Sequence, residues 1–212
     1  MKAISKSVFA LILCVLLSQL DTKAQITQSI GVTGGFASSG FHGESIKDVN
    51  RRNLYSVGMF YHLAPGKGVF SIQPEIIYVP KGGVYTYDAL QIKEEYQLNY
   101  LEIPVMVKIS IPIAKRIYPH VFAGPQIGIK LSEKYEVSSL SDPSLVIAGT
   151  KETEEIDYGG VFGAGVDFKI KKLFLGLNCR YYLGANEVKE ANEAADIKNG
   201  TFSMNLGLGV KF

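Results

Sequence analysis

Along much of this chain apolar residues recur at every second position, the period of a pleated strand rather than of a helix. The last twelve residues show it plainly: Phe202, Met204, Leu206, Leu208, Val210 and Phe212 alternate with Thr201, Ser203, Asn205, Gly207, Gly209 and Lys211. Seven earlier segments repeat the pattern: Ile26–Phe36, Leu54–Leu63, Val69–Val79, Tyr96–Ile109, Ile117–Leu131, Ile156–Ile170 and Leu173–Leu183. Most are near the roughly nine to eleven residues of a tilted strand that crosses a membrane.

The connections alternate in length. Short ones fall at 64–68, 110–116 and 171–172, and long ones at 37–53, 80–95, 132–155 and 184–200. A barrel that starts at the periplasm has tight turns on that side and long loops outside. Aromatics on the apolar faces gather at both ends of the strands. Tyr55, Tyr78, Tyr158, Tyr181 and Phe202 lie toward the long loops, and Tyr61, Phe70, Phe168 and Phe212 toward the short turns. Two girdles at the headgroup levels are the expected outcome.

The first residues add a compartment. Lys2 and Lys6 precede an apolar run from Val8 to Leu17, and Thr22-Lys23-Ala24 offers small residues before Gln25. This predicts a signal peptide over residues 1–24 and an exported β-barrel domain over 25–212. The run is about half of the roughly twenty residues that a spanning helix needs. The leader takes three lysines and one aspartate from 22 basic and 20 acidic residues, leaving 19 of each. A neutral chain without a basic face gives no nucleic-acid footprint. With Cys14 in the leader, Cys179 is left alone, so no internal disulfide can form. A domain of this kind in a bilayer must be a closed barrel, since only closure satisfies every backbone group without helices.

Two resemblances follow from these residues. The terminal strand resembles the assembly signal of bacterial outer-membrane barrels, with Asn205, Gly207, Val210 and Phe212 at the matching positions. The segments Gln73–Tyr78 (QPEIIY), Tyr100–Pro104 (YLEIP) and Phe122–Gln126 (FAGPQ) resemble strand signatures of the Bacteroidetes outer-membrane β-barrel family that includes PorT-like proteins. The fold expected is an all-β, eight-stranded antiparallel transmembrane barrel.

A lumen of eight strands is only wide enough to be filled by side chains. The inward positions hold Gln73, Glu75, Glu102, Lys108, His120, Gln126, Asp167, Asn178, Arg180 and Asn205. They predict a polar plug, because isolated buried charges are costly. Within it Glu75, Glu102, Arg180, Gln73 and Gln126 form the expected central cluster, with Arg180 near both carboxylates. A proton or ligand path is the competing use of these groups. Pro74, Pro104, Pro119 and Pro125 interrupt paired strands, and bulges or bends are expected there.

Catalytic and metal chemistry find little support. His62 and His120 face inward near short-turn ends, and His42 lies in the first outer loop beside Ser38, Ser39 and Ser45. A hydrolase or acyltransferase needs a nucleophile with a histidine in reach. Acidic residues crowd the third and fourth outer loops without the spacing of a calcium loop. The glycine-rich stretch Gly159–Gly165 alternates as a strand and lacks the Lys-Ser/Thr of a phosphate loop. The function expected is therefore non-catalytic, without cofactor or metal, exercised by loop or turn contacts. The expected partners are outer-membrane lipid, the outer-membrane assembly machinery and other envelope or secretion proteins, and the family resemblance implies a PorT-like accessory role in secretion. The alternatives are a narrow porin-like channel or small-solute binder, and a lipid-modifying outer-membrane enzyme.

Overall fold

The computed structural model describes residues 26–42, 49–66, 68–87, 91–113, 116–141, 145–149, 155–187 and 198–212. The signal peptide expected over residues 1–24 lies outside them. Among the described residues, nine antiparallel strands follow in chain order: β1 (Thr27–His42), β2 (Val49–Ala64), β3 (Phe70–Tyr87), β4 (Ile92–Ser110), β5 (Ile117–Ser139), β6 (Val146–Gly149), β7 (Ile156–Ile170), β8 (Leu173–Glu187) and β9 (Lys198–Lys211). Short β6 pairs with the far end of β5. The other eight close into a barrel. β1 pairs with β9 from Ser29↔Lys211 to His42↔Lys198, and β4 pairs with β5.

The alternating pattern sorts the side chains as expected. Ile30, Val32, Met59, Val107, Val121, Leu206 and Leu208 point outward and are 45–59% exposed. A continuous apolar belt of this kind has no place on a soluble monomer, where contiguous apolar patches reach only a few hundred Å². It fits the hydrocarbon of a bilayer. Ten residue steps separate the girdle aromatics Tyr158 and Phe168 on β7. At about 3.4 Å per residue and a tilt of about 40°, they span about 26 Å, the height of the apolar band of such barrels.

The prolines do not produce bulges. Pro74 opposes Val105, next to Pro104, which in turn opposes Gln126, next to Pro125. Pairing lapses beside these residues and resumes in the same register, and Pro119 and Pro125 sit in an unbroken β5–β7 register. Each residue of an antiparallel ladder exchanges its bonds with one neighbouring strand only. A proline thus removes a single bond, and the flanking pairs hold the register. The shifts lie elsewhere, between Arg51 and Val57, Asn99 and Tyr100, and Leu183 and Glu187.

The expected long connections at 80–95 and 132–155 are partly strand. β3 runs to Tyr87, paired with Ile92, and β5 runs to Ser139, also paired with Ile92. These extensions stand beyond the upper girdle, and β6 continues their sheet. Neither face there meets lipid, so the sequence has no reason to alternate.

Candidate functional site

All ten polar residues assigned inward from sequence are buried in the barrel. They are arranged around three cations. Toward the short-turn end, the Lys108 ammonium lies 3.4 Å from both carboxylate oxygens of Asp167. His120 packs beside them, its Nε2 2.8 Å from Asn178 Oδ1 and its Nδ1 3.2 Å from the Tyr118 carbonyl. At mid-height Arg180 Nη1 donates to Glu75 Oε2 at 2.7 Å, and Gln73 Nε2 donates to Glu75 Oε1 at 2.6 Å. Gln73 Oε1 in turn lies 3.1 Å from His62 Nδ1.

The third group sits toward the outer end and was not expected. Lys81, fully buried, is 2.6 Å from Glu102 and 3.0 Å from Asp157. The Tyr182 ring lies 4.0 Å from its ammonium and the Tyr100 ring 5.0 Å, so two aromatic faces cover the cation. Tyr182 also donates to Asp157 Oδ1 at 2.8 Å. Two corrections follow. Of the two carboxylates expected near Arg180, Glu75 bonds to its guanidinium, while Glu102 is the partner of Lys81. The apolar alternation ends at Val79, so the sequence pattern alone places Lys81 in a loop, whereas the structure extends β3 to Tyr87. Counting two residues further along the same strand would have put it inside.

The plug is also less polar than expected. Phe60, 3% exposed, has its ring over glycines, and a Cβ on Gly207 would stand 3.2 Å from it. Phe174 packs 5.3 Å from Phe60 and 4.9 Å from His62. Met106, Phe122 and Val161 form a second apolar group, and Ala37, Ile77 and Val79 a third. A cavity within the barrel is bordered by Glu102, Gln126, Arg180, Tyr182 and Asn205. The centre of a water-sized sphere can range over about 10 Å³ there, room for about one water molecule. Arg180 Nε and Nη2 and Gln126 Nε2, at its border, have no protein hydrogen-bond partner.

The four positions of the terminal signature are divided between the two faces of β9. Asn205 accepts a hydrogen bond from Ser56 at 3.0 Å and donates to Ser203 at 3.1 Å, inside the barrel. Gly207 makes room for Phe60, while Val210 faces lipid. Phe212 is 67% exposed, and its backbone N–H donates to the Gln28 carbonyl at 2.9 Å.

Toward the outer end, charges are also paired. Lys93 lies 3.4 Å from Glu95, Lys130 2.6 Å from Glu133, and Lys134 also pairs with Glu136. Tyr96 and Tyr135 face each other across β4 and β5 with ring centres 4.8 Å apart. Burial, followed by the nearby Tyr96 and Glu94, raises the Tyr135 hydroxyl above the ordinary phenol range. Among the described residues, no group of three or more His, Cys, Asp or Glu side chains could hold a metal ion. The side chain of His42 and most of the acidic positions of the last two outer loops lie outside the described residues.

No curated protein sequence matches the chain significantly. Among solved structures it is similar to Ail, the attachment invasion locus protein of Yersinia pestis, at 13% identity over 87% of this chain and 98% of that one, with a TM-score of 0.42. It is also similar to Neisserial surface protein A, at 10% identity over 86% and 97%, with a TM-score of 0.45. The outer membrane protease OmpT from Escherichia coli is similar at 11% identity over 90% and 97%, with a TM-score of 0.43. Residues 18–190 match the family model described as the outer membrane protein beta-barrel domain. With a belt built for lipid and most of its length within that match, the chain belongs to the outer membrane protein beta-barrel family.

Proposed function

We propose that this protein is a blind outer-membrane barrel that acts by contact at its two ends, as a non-catalytic accessory to an envelope assembly. The observation that carries this reading is the filled lumen. Each of the three buried cations is held by a carboxylate at 2.6–3.4 Å, and the cavity among them is the size of one water molecule. A porin-like path would require these pairs to separate within a low-dielectric interior, where breaking one costs about 3–5 kcal/mol. The hydrogen-bond partners found for His62 and His120 are Gln73, Asn178 and a backbone carbonyl, none of them a nucleophile, which supports the non-catalytic role.

A PorT-like place in protein secretion is the specific form of this role that the strand signatures imply. The outer sheet of β3 to β6 offers contact surface on one side, with Leu145, Val146 and Ile147 exposed. The short turns offer it on the other. A photo-crosslinking residue placed at Ile147 or at Lys171 in cells should yield a discrete protein adduct from at least one position. Stepwise single-channel conductance from the purified barrel in planar bilayers would refute the blind-barrel reading, and absence of any adduct would refute the contact role.

A further inference from the structure

The two ends of the barrel differ in charge. Arg116, Lys169, Lys171, Lys172 and Lys211 all lie at the short-turn end, which outer-membrane barrels direct to the periplasm. The same turns contain Lys67 and Lys115 in the sequence. No Asp or Glu occurs in segments 26–29, 65–70, 110–117, 168–173 or 210–212. The acid nearest in sequence, Asp167, is buried and held by Lys108. At the opposite end, by contrast, Lys93, Lys130 and Lys134 each have a glutamate partner.

The strand register brings these cations together. The Lys169 N–H donates to the Arg116 carbonyl at 3.0 Å, and the Lys211 N–H to the Lys172 carbonyl at 2.7 Å. Arg116, Lys171 and Lys172 have exposed side chains. Lys169 and Lys211 are half-buried on the inward face of their strands, and the Lys169 ammonium lies 4.3 Å from the Tyr118 ring centre. Among the described residues, none of the five forms an ion pair with a carboxylate side chain.

Their height in the membrane indicates the partner. Phe168 and Phe212, members of the lower girdle, are the immediate sequence neighbours of Lys169 and Lys211. The turn that carries Arg116 also presents Ile111 and Ile113, which are 70% and 74% exposed. It is closed by a hydrogen bond from the Ile113 N–H to the Ile117 carbonyl at 3.3 Å. Bare isoleucines beside bare cations suit the boundary between acyl chains and headgroups better than they suit a wholly aqueous protein interface.

We propose that this end of the barrel holds the headgroups of anionic phospholipids of the inner leaflet, with Arg116, Lys171 and Lys172 contacting the phosphates. Lys169 and Lys211 strengthen the field at the mouth. The test uses the full barrel refolded in zwitterionic micelles, titrated with phosphatidylglycerol or with phosphatidylcholine of the same acyl chains. Bound lipid is counted by native mass spectrometry.

Phosphatidylglycerol should bind at least about tenfold more tightly, and each of Arg116→Gln, Lys171→Gln and Lys172→Gln should weaken it by up to about fivefold, the effect of one basic side chain beside an anionic membrane surface. The preference should shrink at about 1 M salt, where the screening length is about 3 Å. Removing two outer cations with Lys93→Gln and Lys134→Gln should leave it unchanged. Equal binding of the two lipids by the unaltered barrel would overturn the proposal. A headgroup preference that survives all three substitutions would overturn it too. If instead poly-glutamate binds this end in the absence of a lipid preference, the rim recognises an acidic protein and the lipid assignment is wrong.

Discussion

Replacing Lys81 by Met should destabilise the barrel more than any substitution of a surface charge. Methionine keeps nearly the same length, so packing against Tyr100 and Tyr182 changes little. The cation is lost. Glu102 and Asp157 are then left facing a site with no counter-charge, where both are at least 94% buried. Breaking a buried pair by removing one partner costs about 3–5 kcal/mol. Two stranded carboxylates, and a lost cation–aromatic contact of about 2 kcal/mol when desolvated, place the loss at or above the upper end of that range. The control is Lys134→Met, whose side chain is 58% exposed in its pair with Glu136. An exposed pair contributes about 0–1 kcal/mol. The assay is urea unfolding in phospholipid vesicles followed by the heat-modifiable gel shift, since the chain has no tryptophan to report on folding. Combining Lys81→Met with Glu102→Gln and Asp157→Asn should recover most of the stability, because a neutral site of the same volume carries no stranded charge. If Lys81→Met unfolds within about 1 kcal/mol of the unaltered protein, the three groups do not form the closed unit described.

The other expectations can be checked with the same assay. Arg180→Met should cost about 3–5 kcal/mol through the abandoned Glu75 carboxylate, and Glu75→Gln combined with it should restore much of the loss. Phe60→Ala should cost about 3–5 kcal/mol, because the ring is buried over glycines that cannot fill the space it leaves. A loss below about 1 kcal/mol would mean that Phe60 is not part of a packed plug. Phe212→Asp should lower the amount of heat-modifiable protein in cells well beyond its effect on refolding in detergent. Full burial of a phenylalanine contributes only about 1.5–3 kcal/mol, and this one is 67% exposed. Equal losses in both measurements would confine Phe212 to a packing role.

The belt was legible in the sequence because lipid imposes a two-residue period on every strand that meets it. Ile156 to Ile170 and Ile117 to Leu131 could be assigned to faces residue by residue, and the structure places their side chains on those faces. The period fades where the solvent changes. Above the upper girdle, Thr86, Glu94, Lys134 and Glu136 belong to strands whose two faces both meet water, so these segments read as loops. Lys81 lies just past that boundary. Its side chain turns into the barrel, yet its sequence neighbours Pro80 and Gly82 gave no sign of a continuing strand. The apolar part of the plug was obscured for a different reason. A large residue at an inward position looks like a break in the alternation until its neighbours across the barrel are known, as with Phe174 beside His62 or Phe122 beside Met106 and Val161.

A plug built this way has consequences for how such a barrel can work. The cations are anchored on β3, β4 and β8 and their carboxylates on β3, β4 and β7, so the pairs tie together strands that are not all neighbours in the sheet. Arg180 and Glu75 span β8 and β3, and Lys81 and Asp157 span β3 and β7. Each such pair resists separation of the strands it joins, because pulling a buried cation from its carboxylate costs several kcal/mol. The outer sheet grows directly from β3, β4 and β5, two of which carry these ties. The strands that carry the outer sheet are thus joined by lumen ion pairs as well as by the strand ladder. The contact role proposed for the two ends of the barrel is compatible with strands braced through the lumen in this way.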